Sequence, residues 1–173
     1  MSVEDDFQAF MVARWPALLR TAYLLTGNRD DAEDLVQAAL ARAFSRWSRV
    51  CRADDPAAYV WRIMINVNVD RLRRLKLREW LTSRLPERPT ADRSDELVAR
   101  RALLEALDRL PARQRAVVVL RYVEDRSEGQ VAELLGIGVG TVRSHAARAL
   151  ARLRADGALR DFIPQACGRG DGR

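Results

Sequence analysis

The stretch SEGQVAELLGIGVGTVRSHAARALARL, residues 127–153, decides how the rest of the chain is read. Two short helical patterns flank a Gly-Ile-Gly turn, and arginines recur along one side of the second. Ser127 is a favoured helix-start residue and Gln130 follows three places later, the signature of a reciprocal capping box. Val131, Leu134 and Leu135 give the first helix an apolar stripe, and Ala132 leaves room for a second helix to cross closely. Gly136 supplies the left-handed residue that closes the first helix. In the second, Val142, Ala146, Ala149, Leu150 and Leu153 recur at helical spacing and face inward. At about 100° per residue, Arg143, Ser144, Ala147 and Arg148 fall on the other side, with Thr141 and Arg152 at its edge. Such a face suits the DNA major groove, where arginine bridges a guanine edge and a hydroxyl holds phosphate. The pattern predicts a helix-turn-helix. Its competitor is a plain helical hairpin whose arginines are merely solvated.

Composition narrows the choice. The 173 residues suffice for one domain or two small ones, and 48% hydrophobic content is enough to bury a core. A formal charge of +6 and a sequence pI near 10.3 favour a polyanionic partner. Lys76 is the only lysine among 30 basic residues, a bias that a GC-rich genome can produce. No apolar run approaches membrane-spanning length, and the acidic start MSVEDD does not resemble a signal peptide, so a cytoplasmic protein without membrane contact is expected. Cys51 and Cys167 are expected to remain thiols. The lone histidine, His145, cannot assemble a zinc site, so no metal and no cofactor are expected. There is no nucleophile triad, Walker loop or dinucleotide fingerprint, so no catalytic residue is assigned.

Towards the N-terminus, Phe7, Phe10, Met11, Trp15, Leu18, Leu19, Ala22 and Leu25 trace a helix over 3–25. Pro16 predicts a kink or two abutting helices there, and Gly27-Asn28 ends the pattern. A second helix, 30–47, opens on Asp30, Asp31, Glu33 and Asp34. Carboxylates in a first turn stabilise the helix dipole by roughly 0.3–1 kcal/mol each, but an acidic cluster on a basic protein also suits docking to a basic partner. Residues 48–55 are expected to form an arginine-rich loop. Asp55 and Pro56 then start a third helix reaching about Trp80. Its inward residues are Val60, Met64 and Val67, with Trp61, Ile65 and Leu72 towards the flank. Arg62, Asn66 and Arg73 fall on an outer stripe with Asp70, and Asn68 and Arg71 elsewhere on the surface. Tyr59 and Trp61, beside the basic loop, suit either the core or the stacking of unpaired bases. Residues 82–94, TSRLPERPTADRS, mark a linker. Beyond it come a helix over 95–110, with Leu97, Ala102 or Leu103, Leu104 and Leu107 inward, and a helix over 112–123. After Asp156-Gly157 the chain is expected to fray.

Three segments carry a family resemblance. DAEDLVQAALARAF (31–44) resembles region 2 of bacterial sigma factors. PAAYVWRIMINVNVDRLRR (56–74) is similar to the helix that follows it there, and residues 110–154 resemble region 4. Order and linker together are similar to the extracytoplasmic-function (ECF) group of the sigma-70 family. AYLLTGN and VGTVRSHAARAL are similar to its SigE-like actinobacterial branch. The resemblance implies an all-α chain of two small helical domains joined by a flexible linker: region 2 over 1–81, linker 82–94, region 4 over 95–160 and a mobile tail over 161–173. It implies core RNA polymerase (β′ clamp helices and β flap) and promoter DNA as partners, and leaves room for an anti-sigma factor between the domains. Carried onto matching positions, polymerase docking would use Asp31, Asp34, Leu35 and Gln37. Capture of the −10 strand would use Arg62, Asn66, Asn68 and Arg71, and duplex readout at −35 would use Thr141, Arg143, Ser144 and Arg148. Gly138 stands where relatives often carry a capping Ser or Thr, and Ala147 where a bulkier reader is common.

A free-standing helix-turn-helix regulator of the LuxR type would share the C-terminal pattern. A βα-repeating receiver would then be expected ahead of it, and no strand pattern is present. A purely structural helical adaptor leaves the two basic surfaces without a role.

Overall fold

A computed structural model of the chain describes residues 3–82 and 95–156. Most of the expected linker, the side chain of Leu97 and the C-terminal tail lie outside the described residues. Those described form an all-α protein with no strand.

Helix α1, Val3–Thr26, runs through Pro16 without ending there, and buries Leu18, Thr21, Ala22 and Leu25. Gly27, at φ 85°, turns the chain. Asn28 then caps α2 (Arg29–Phe44), its side-chain oxygen accepting the Asp31 N–H at 2.8 Å. The buried stripe of α2 alternates bulk with alanine (Ala32, Leu35, Val36, Ala39, Leu40, Ala43), which lets α1 and α4 approach closely. α2 stops at Phe44, three residues short of expectation. The first part of the expected 48–55 loop is instead a short helix, α3 (Trp47–Cys51). Five residues make no stable helix alone. Tertiary contact holds this turn: Trp47 and Val50 are buried, and the Trp47 ring meets Phe7 at 5.1 Å and Phe10 at 5.2 Å, both edge-on. α4 (Pro56–Thr82) begins as expected, with the Asp55 carboxylate accepting the Ala58 N–H at 2.9 Å.

In the C-terminal half, α5 (Asp95–Asp108) leads into α6 (Ala112–Val118). Leu107 is buried, but Leu103 is exposed. The helix expected to run on to 123 widens into a π turn over Val119–Val123. The Glu124 N–H reaches the Val119 carbonyl at 3.0 Å and the Arg126 N–H the Leu120 carbonyl at 2.9 Å. Asp125, at φ 49°, completes the turn. α7 (Glu128–Leu135) and α8 (Val139–Ala155) follow, both packed against this segment or α6.

The two halves share one apolar core. The cluster containing Leu18, Val36, Val60 and Met64 continues into Val117, Leu120, Val131 and Val142. A second cluster (Ala106, Leu107, Leu110, Val118, Ala149, Leu153) fills the rest of the C-terminal half, with Leu24 of α1 packed against it. The helix-turn-helix is therefore docked on the N-terminal helices.

Candidate nucleic-acid interface

The helix-turn-helix closes as its residues dictate. Ser127 Oγ accepts the Gln130 N–H at 3.2 Å, and Gln130 Oε1 accepts the Ser127 N–H at 2.9 Å, completing the capping box. Gly136 adopts φ 63°. Its N–H bonds the Glu133 carbonyl, and the next N–H, from Ile137, bonds the Ala132 carbonyl at 3.0 Å. This pair of bonds is a Schellman closure. α8 has Gly138 at its start, with no side-chain cap. It buries Val142, Ala149 and Leu153 and exposes Thr141, Arg143, Ser144 and Arg148. Thr141, Ser144 and Arg148 lie within about 60° of one another around the helix. Arg143 lies about 100° further round the helix from Ser144, where Nε donates to Glu128 Oε2 at 2.6 Å. Ser144 Oγ donates to the Gly140 carbonyl at 3.0 Å. Arg148 has no ion-pair partner among the described residues.

The residues expected at −10 separate into two pairs. Arg62 and Asn66 are exposed on α4. Asn68 is buried, only 3% exposed, with Oδ1 unpartnered among the described residues. Arg71 is half-buried and paired with Asp31. The surface position expected for Asn68 is therefore corrected, while Arg71 keeps part of its side chain at the surface. At about 100° per residue, both lie on the arc defined by Val60, Met64 and Trp61. That arc packs against the other helices.

Of the expected docking residues, Asp34 and Gln37 are exposed about 60° apart on α2. Leu35 is 2% exposed and belongs to the core, so its side chain presents no surface to a partner. Asp31 is tied down: Asn28 Nδ2 donates to Oδ2 at 2.6 Å and Arg71 pairs with the same oxygen. Burial pushes its carboxyl up, but the Asn28 and Arg71 hydrogen bonds outweigh burial and hold it below the usual carboxylate range.

Three residues that periodicity did not single out hold the halves together. Arg115 is buried, with Nη1 donating to the Leu25 carbonyl at 2.6 Å and Nη2 to Asp108 Oδ1 at 2.8 Å. Glu124 accepts the Thr21 hydroxyl at 2.6 Å and lies 3.4 Å from Arg20. Arg126 pairs with Asp55 at 3.1 Å and stacks over the Trp61 ring, 4.5 Å from its centroid. Burial pushes the Asp55 carboxyl up, but bonds from the Ala58 N–H and Arg126 leave it below the usual range. One signal was available for Arg115, which interrupts the otherwise neutral run from Gln114 to Leu120. Beside Arg126 a cleft of about 320 Å³ separates Asp54, Asp55, Tyr59 and Arg62 from Gln130, Glu133 and Leu134.

No group of three or more metal-ligating side chains gathers among the described residues, and none of their helices is long and apolar enough to cross a membrane. The chemistry on offer is polyanion binding on α8 and on the exposed side of α4.

Comparison with known proteins gives matches to both halves. Sigma-70 region 2 matches residues 11–78, and sigma-70 region 4 matches residues 100–153. The chain is 40% identical to the RNA polymerase sigma-E factor of Streptomyces coelicolor, over 95% of this chain and 93% of that one. It is 38% identical to the ECF RNA polymerase sigma factor SigM of Mycobacterium tuberculosis, over 79% of this chain and 69% of that one. Among solved structures, the sigma factor RpoE of Bartonella quintana, in complex with the anti-sigma factor NepR, superposes with a TM-score of 0.73. It shares 25% identity and covers 91% of this chain and 99% of that one.

Proposed function

The chain belongs to the sigma-70 family of RNA polymerase sigma factors, and from that premise we propose how its surfaces divide the work of promoter recognition. It is an ECF-type sigma factor that directs core RNA polymerase to promoters. The supporting observation is the order of the two regions together with an α8 face that stands open to solvent.

The −35 duplex is taken by Arg148, Thr141 and Ser144, with Arg143 released from Glu128 to reach phosphate. An exposed pair of that kind contributes about 0–1 kcal/mol, so a phosphate competes easily for the guanidinium. The −10 strand is taken by Arg62 and Asn66, with the neighbouring aromatic rings as stacking platforms. Asn68 and Arg71 support this surface from beneath, Arg71 through its bond to Asp31. Polymerase docks on Asp34 and Gln37, with Leu35 and Asp31 holding the helix that presents them. The protein has no catalysis of its own and works in the cytoplasm, beside the polymerase. Residues 1–81 and 95–160 act as the two functional units, joined through 82–94. An anti-sigma factor is a further partner on this reading, as RpoE of B. quintana is bound by one.

Geometry adds one requirement. Elements near −35 and −10 lie about 25 base pairs apart, or roughly 85 Å along the duplex. A compact chain of this length is only about 40 Å across. Residues 83–94 reach at most roughly 40 Å when extended. The docked halves must therefore part before both elements are held.

Reconstitution with core polymerase tests the assignment. Holoenzyme should give run-off transcripts from a genomic promoter fragment, while the free chain should leave no footprint. A footprint by the free chain at that promoter, with no transcript from the holoenzyme, would instead favour a classical regulator.

A further inference from the structure

We propose that Arg126 is an internal plug: it occupies the Trp61 face intended for an unstacked base and so latches the free chain shut. This rests on the assignment of the Trp61 side of α4 to the −10 strand. A guanidinium is flat and cationic, and it stacks on indole as a base would. Arg126 lies 4.5 Å over the Trp61 ring while pairing with Asp55 at the start of the same helix. Arg62 lines the adjoining cleft, across from Gln130, Glu133 and Leu134 of the helix-turn-helix. One side chain therefore denies a single strand its platform.

The latch is built by a local departure from regular structure. The π turn over Val119–Val123 and the left-handed Asp125 carry residues 124–126 out of the helical path. Such turns recur at functional sites. Here the turn aims two groups at the N-terminal half, Glu124 towards Thr21 and Arg20, and Arg126 towards Asp55 and Trp61. Arg121 donates to the Arg126 carbonyl and fixes the turn. The closed state is also imperfectly satisfied. Trp61 Nε1 and Asn68 Oδ1 are buried without partners among the described residues.

The test uses the full-length chain and its Arg126→Ala and Arg126→Lys variants. Small-angle scattering reads opening, and fluorescence anisotropy reads binding of a labelled single-stranded DNA of mixed sequence to the free protein. Arg126→Ala should raise the radius of gyration by several ångström and tighten strand binding at least fivefold. Arg126→Lys, which keeps the Asp55 pair but stacks poorly, should fall between. Run-off yield with saturating core polymerase should be unchanged. If Arg126→Ala fails to fold by circular dichroism, Arg126→Gln takes its place, since it keeps most of the side chain's length but loses the cation that stacks on Trp61 and pairs with Asp55. Unchanged scattering and strand affinity in a folded variant overturn the latch, even where holoenzyme transcription is normal. Loss of transcription by wild-type holoenzyme overturns the promoter assignment instead, and scattering still decides whether Arg126 holds the chain closed.

Discussion

Helices α4 and α8 both carry arginines at helical spacing, yet they meet their surroundings differently. α8 lies on the outside of its half, so one side packs and the other is open: Thr141, Ser144 and Arg148 all face solvent. α4 is enclosed. It packs on α1, α2 and α3, and the helix-turn-helix covers a further side. As a result Asn68 is buried, Arg71 is committed to Asp31 and Arg62 borders a cleft. A face predicted from periodicity is dependable where a helix has one packed side. On α4, Asn68 and Arg71 fall on the same arc as Val60, Met64 and Trp61, so helical spacing itself carries them inward when that arc packs.

The largest expected effect breaks the docking of the two halves. Arg115→Ala removes the donor to the Leu25 carbonyl and leaves Asp108 without that partner. It should cost about 3 kcal/mol in urea-induced unfolding, as for other buried charges that lose one partner. A loss under about 1 kcal/mol would mean the two halves do not depend on this arginine. Next comes the open face: Arg148→Ala should weaken −35 recognition by about 1–3 kcal/mol, or roughly tenfold to a hundredfold, in holoenzyme footprints. Affinity for core polymerase should not change. A parallel drop in polymerase affinity would show the faces to be wrongly assigned.

Acid should act mainly on the enclosed side. Asp31 and Asp55 both lie below the usual carboxylate range in the folded state, so each adds stability that is complete above the unfolded value near 3.9. That contribution disappears as pH falls through the lowered folded value. Both side chains are more than a third exposed, so screening keeps the effect small. Asp55→Asn should flatten the acid limb of a thermal-melting profile below about pH 4. An unaltered limb would remove Asp55 from the closed interface. The smallest effect sharpens α8 alone. Gly138 has extended backbone, and an added Cβ would meet nothing closer than Thr141 Oγ1 at 3.9 Å. Gly138→Ser should therefore stabilise the chain by a few tenths of a kcal/mol in the same urea assay.

Much of this molecule was legible from its residues. The all-α class and the order of the helices followed from apolar periodicity. Ser127, Gln130, Gly136 and Asp55 placed three helix ends, because capping involves neighbours three or four positions away and the chain spells those out. The α8 face was readable for the same reason. The short helix at Trp47 was not, since its stability comes from Phe7 and Phe10, some forty residues earlier. Nor was the π turn, whose widened bonds leave no mark on composition.

Local rules, then, determined where helices start and stop and which side of α8 meets water. Tertiary structure alone decided that Arg71 pairs with Asp31, and that Arg115, Glu124 and Arg126 pair with residues about seventy or more positions away. Those contacts form when two separately patterned halves come into register, and the free energy that selects the register is shared across both surfaces. No single stretch of sequence contains it.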